Sequence, residues 1–210
     1  MVRGGKQDRR KIVNAKWTIG IAVAALALFL GASSAKEKAK AKAVKLELDT
    51  STAVVLDKDR NGMPAKTKLI CTACYTDYSL GPVVDGIKKR KEMDWQDCSW
   101  ASAEDESAHG IEIQLSKPMS NGRFQVTWAY DIYNEDNGRW WVSRNYCIQT
   151  KKKAGDPWKT VVQVKNNQSV IGSYPLPQEE YSFLRIYQLA GGGHAARPNI
   201  MWVGQIELAD

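Results

Sequence analysis

Three stretches of this chain carry side chains whose types and spacing could do chemistry. The richest is 131–145, with Asp131, Asn134, Asp136, Asn137, Arg139, Trp140, Trp141, Arg144 and Asn145. An indole offers a flat apolar surface to the C–H face of a pyranose. Arg, Asn and Asp offer planar polar groups that bridge adjacent hydroxyls. Neighbouring residues of a strand point to opposite faces, so at most one of Trp140 and Trp141 is expected in the core and the other free. A second stretch, 190–200, places His194, Arg197 and Asn199 after three glycines. That is either a ligand loop or a plain turn. The third, 100–110, ends near His109. For both histidines a surface or hydrogen-bonded role competes with ligand binding.

Other clusters are weaker. Asp57-x-Asp59-x-Asn61-Gly62 has the first half of a calcium loop, but Lys68 stands where a bidentate Glu is needed and Pro64 interrupts it. A polar turn ahead of the domain fits better. Glu104-Asp105-Glu106 supplies carboxylates, yet glycoside hydrolysis needs two at a set spacing across a cleft. A lone sandwich seldom forms one, so no enzyme is expected. Cys71, Cys74, Cys98 and Cys147 are even in number. In an exported chain they read as two disulfides, with three possible connectivities. Cys71 and Cys74, on one strand, would face opposite sides and pair elsewhere. Zinc would need a second close pair.

Export is read from the N-terminus. Arg3, Lys6, Arg9, Arg10, Lys11 and Lys16 precede an apolar run from Trp17 to Leu30, and small residues lead to Ala35. Basic head, short apolar run and small-residue exit make a signal peptide over 1–35. The run is short for a bilayer span, though an uncleaved anchor is the alternative. Residues 36–65 read as a Lys/Ala-rich tether and lead-in. The chain's net charge of +7 is +5 in residues 1–35, +2 in 36–50 and zero beyond. A neutral domain has no field for nucleic acid. The expected location is secreted or periplasmic, with a membrane involved only if the N-terminal segment is not cleaved.

The elements that must position these residues are strands. Ile111–Leu115 and Phe124–Ile132 alternate apolar and polar. Tyr146–Thr150, Thr160–Lys165, Tyr181–Leu189 and Met201–Leu208 are further candidates. Lys117-Pro118, Asn121-Gly122, Gly155-Asp156-Pro157 and the 191–193 glycines separate them. Many short strands with regular turns predict an all-β sandwich or barrel.

The order of pieces resembles the discoidin domain, or coagulation factor 5/8 type C domain, of the galactose-binding-like superfamily. Asp85-Gly86, Trp100-Ala101-Ser102, Ile111 to Pro118, Phe124 to Tyr130, Tyr146 to Val161, Tyr181 to Ile186 and Val203 to Leu208 carry the likeness. It covers about 66–210, taken as the domain. The resemblance implies an eight-stranded jelly roll that binds ligands through loops at one end. It also implies ligand roles for Arg139 or Arg144 with Asn145, and a structural calcium at Asp85, although Gln205 replaces the closing acid. The resulting expectation is a non-catalytic module whose partner is a carbohydrate or an envelope protein.

Overall fold

The computed structural model describes residues 44–87, 95–130 and 140–209. Eleven strands lie among them, against the eight that the resemblance implies. They are β1 (Leu48–Val55), β2 (Lys68–Thr72), β3 (Trp100–Ala101), β4 (His109–Met119), β5 (Arg123–Tyr130), β6 (Trp140–Trp141), β7 (Tyr146–Lys151), β8 (Lys159–Val164), β9 (Ile171–Pro175), β10 (Tyr181–Gln188) and β11 (Trp202–Ala209). A 3-10 turn at Gly81–Val84 and a one-turn helix at Trp95–Cys98 interrupt them.

The strands form two antiparallel sheets facing each other as a jelly-roll sandwich. One has the order β1-β2-β4-β10-β7-β8, the other β3-β11-β5-β6. β9 pairs with the first part of β5 and β6 with its last two residues, so both line the same edge in succession. Period-2 alternation fills the space between the sheets. Phe124, Val126 and Trp128 of β5 are buried, as are Ile111 and Ile113 of β4 and Leu184 and Ile186 of β10. Each such side chain contributes roughly 1.5–3 kcal/mol. Trp128 meets Tyr146 edge-on at 5.0 Å.

The lead-in corrects the expected boundary. Residues from Val44 onward belong to the fold: β1 pairs with β2, and Leu56 and Met63 enter the core. Lys45-Leu46-Glu47-Leu48 already alternates, and Leu46 packs on Cys147 and Tyr187 over the outer face of the first sheet. Arg185, buried on that face, donates to the Val44 carbonyl (3.2 Å) and to Gln149 Oε1 (2.8 Å). Its guanidinium lies 4.3 Å from the Trp158 ring centre. Burial on both faces explains why β7 carries buried polar side chains.

The turn after β1 docks on β11. Asn61 Nδ2 donates to the Ile206 carbonyl at 2.9 Å, and the Leu208 N–H to the Asn61 carbonyl at 2.8 Å. Gly62 has φ +73°, and a Cβ there would lie 1.8 Å from the Leu208 oxygen. Asp57 pairs with Arg60, while Asp59 accepts from the Ala65 N–H. Each residue of the suggested calcium loop thus serves a different protein partner.

Strand directions divide the loops between two ends. Residues 73–80, 102–108, 142–145, 165–170 and 189–201 gather at one end. Residues 56–67, 120–122, 152–158 and 176–180 gather at the other. All candidate ligand residues described fall at the first end.

Candidate functional site

A row of aromatic rings crosses the loop end. Tyr75 meets Tyr78 edge-on (6.2 Å) and Tyr78 meets Trp202 edge-on (5.4 Å). Trp202 stacks on Trp141 (5.9 Å, 27°), which meets His194 at 4.9 Å. Trp141 and Trp202 form a small second core with Ala101, Ala129 and Ile200.

This corrects the expectation for the paired tryptophans. Neither is a bare platform. Trp141 is buried, while Trp140 is half-buried, lies 4.8 Å from Tyr130 and packs against the main core. The reason is the second core, which covers the face that an isolated sandwich would leave to solvent.

Arg197 stands beside this row. Its Nε donates to Glu104 Oε1 at 3.1 Å and its Nη2 to Oε2 at 2.5 Å, a bidentate pair. The guanidinium carbon is 5.5 Å from both the Tyr75 and Trp202 ring centres. These bonds hold the Glu104 carboxyl below its ordinary range and push Arg197 up. Both side chains keep about a third of their surface in solvent, and Tyr75 is 38% exposed. A flat ring edge and a planar ion pair, both accessible, thus share one surface.

On the far side of Trp141 lies a depression of about 310 Å³, with Trp140, Arg144, Asn167, Gln168 and His194 in its wall. Arg144 is largely committed: Nε donates to the Gly193 carbonyl (2.7 Å) and Nη2 to that of Gly191 (3.3 Å). Asn145 Oδ1 accepts from the Asn166 N–H at 3.0 Å. The carried-over pair therefore stitches three loops together. The glycines serve the same packing, since a Cβ at Gly192 or Gly193 would come within 2.6 Å of carbonyl oxygens. His194 Nδ1 accepts from the Ala196 N–H, and the Asn199 carbonyl from the Asp105 N–H. His109 is 1% exposed, with Nε2 3.3 Å from the Asp105 carbonyl, so it closes its loop from inside.

Asp131, Asn134, Asp136, Asn137 and Arg139 lie outside the described residues. The sequence reading missed Tyr75, Tyr78 and Trp202, and gave Glu104 only a hydrolytic role. An aromatic pair at Tyr75 and Tyr78 in a polar stretch was the available signal; its meeting with β11 was not.

The two side chains of the implied calcium position make other contacts. Asp85 Oδ1 accepts from the Ile87 N–H at 2.8 Å. Gln205 turns its Nε2 donor to the Val83 carbonyl at 2.8 Å, and its Oε1 is buried without a partner among the described residues. The side chains there offer one carboxylate and one amide oxygen, so calcium, which takes six to eight oxygens, would have to draw the rest from backbone carbonyls. Among the described residues no three metal-type side chains cluster.

The cysteines, expected as two disulfides, are all thiols here. The expected geometry of Cys71 and Cys74 is corrected. β2 ends at Thr72, so Cys74 is off the strand, and the two sulfurs lie 3.4 Å apart.

No protein-family model and no curated protein matches the chain. Solved structures share its fold. The module CpGH89CBM32-5 of Clostridium perfringens, in complex with GalNAc-β-1,3-galactose, has TM-score 0.52 and 10% identity, covering 69% of this chain and 95% of its own. Chitosan-binding module 2 of the Paenibacillus sp. IK-5 chitosanase/glucanase, in complex with chitotriose, has TM-score 0.51 and 19% identity, covering 74% and 98%. A Ruminococcus gnavus GH29 fucosidase in complex with fucose has TM-score 0.52 and 12% identity, covering 69% of this chain and 25% of the enzyme. At these identities the likeness shows a common jelly-roll fold.

Proposed function

We propose that this chain is an exported, non-catalytic module that binds carbohydrate at its loop end. The observation that carries the reading is the Arg197–Glu104 pair set beside Tyr75 and Trp202. A sugar ring needs an apolar face to stack on and polar groups fixed at the spacing of neighbouring hydroxyls. The ring edge supplies the first and the bidentate pair the second. The wall of the neighbouring depression, with Trp140 and His194, offers room for a second sugar unit. Structures of the same fold that hold GalNAc-β-1,3-galactose and chitotriose support the reading.

Two of the three carboxylates weighed for hydrolysis are poorly suited to act as the acid. A general acid needs a raised pKa. Arg197 holds Glu104 down, and hydrogen bonds from Ser107 hold Asp105 down. Export rests on residues 1–35, with cleavage after Ala35.

Calorimetry against galactosides, N-acetylgalactosaminides and glucosamine oligomers tests the reading. Saturable binding is expected, weakened about tenfold or more by Tyr75→Ala and by Arg197→Ala with unfolding temperature nearly unchanged. A folded protein that binds none of them at about 10 mM, roughly −3 kcal/mol of affinity, would overturn it. Retention on an envelope extract that free sugars do not displace would assign a protein partner instead.

A further inference from the structure

Cys71 and Cys74 form a pair whose placement no sugar-binding role explains. Cys71 is fully buried near the end of β2, while Cys74 is half-buried and bridges to Ser102. Their sulfurs touch at 3.4 Å. The Trp100 Nε1–H donates to Cys74 Sγ at 3.3 Å, and Thr52 Oγ1 lies 3.1 Å from Cys71 Sγ. The Thr52 hydroxyl donates to the Asp49 carbonyl. The half-buried Cys74 thus has the fully buried Cys71 directly behind it.

We propose that Cys71 and Cys74 are a thiol–disulfide exchange site, closed to an internal disulfide by an external disulfide as oxidant. The Cys74 thiolate attacks one sulfur of the oxidant, forming a mixed disulfide and expelling one thiolate. Cys71 then gives up its proton and attacks Cys74 Sγ, expelling the second thiolate. Two protein thiols are oxidised by two electrons, and the oxidant is reduced to two thiols. The order follows from access and acidity. The contact with Cys71 and the Trp100 N–H pull Cys74 down to about 7, against burial and Asp49. The same contact and burial push Cys71 up. A thiol near ambient pH is the better attacking group.

The new bond would clamp residues 73 and 74 to β2, immediately before Tyr75, whose N–H already donates to the Ala101 carbonyl at 2.9 Å. The inference does not rest on the sugar reading; it needs only the two sulfurs and their surroundings.

Oxidised glutathione is the probe. The reduced full chain is exposed to it, its remaining thiols are alkylated, and its peptides are weighed. Alkylatable thiols should fall from four to two, with Cys71 and Cys74 linked and two hydrogens lost. Tryptophan emission should shift as Trp100 loses its thiolate partner. Cys71→Ser should accumulate glutathione on Cys74, whereas Cys74→Ser should leave Cys71 unmodified. Four alkylatable thiols after treatment, a link that includes Cys98 or Cys147, or a glutathione adduct on wild-type Cys74 that never resolves would each overturn the proposal. The wild-type peptide masses decide the matter even if a variant fails to fold.

Discussion

Glu104 and Arg197 show how little of a site a single position reveals. They are far apart in the chain, and the sequence displays only one acid among three and one base in a glycine-rich loop. Trp140, Arg144 and Asn145 had the right composition, but composition does not tell a ligand group from one consumed by neighbouring carbonyls. The pair also sets a pH dependence. Glu104 has a depressed pKa, so its anionic form and the bond to Arg197 persist above the ordinary glutamate value of 4.5 and are lost as pH falls through the lowered one. Sugar affinity should therefore hold from about pH 8 to pH 5 and weaken at lower pH, as a titration of binding would show. Gly62 makes a prediction of another kind. Its positive φ and its contact with the Leu208 oxygen leave no space for a methyl group, so Gly62→Ala should cost about 3 kcal/mol in urea unfolding.

Among the elements, the long alternating strands were legible. β4, β5, β7, β10 and β11 follow the runs through Ile111, Phe124, Tyr146, Tyr181 and Met201, with ends displaced by a residue or more. The misses have physical causes. β3 and β6 hold two residues each, too few for any period to register. β1 follows a Lys/Ala run that masks its alternation, and Leu46 is stabilised by partners in β7 and β10 that local pattern does not display. Leu46→Ala should destabilise the protein by about 2 kcal/mol, measured by chemical denaturation. A chain beginning at residue 66 loses β1, Leu56 and Met63 and should show no cooperative unfolding transition. One beginning at residue 44 should.

For the whole molecule, the charge is the first guide. Residues 51–210 carry no net charge, so the basic balance belongs to residues 1–50. Sequencing the N-terminus of the mature protein should give Lys36 first. The outer-face crossing of residues 44–48 fixes something else, the way the module is presented. Val44 lies over the outer face, where its carbonyl accepts from Arg185 midway along β10, whereas Ala209 pairs with Arg123 at the end away from the loops. The described chain thus enters over the middle of one sheet and leaves at the far end of the other. A domain beginning at residue 44 and coupled to a support through residue 209 therefore stands with loops 73–80, 102–108 and 189–201 facing away from it. An immobilised sample of that kind would meet a large glycan unobstructed if its loop end binds one.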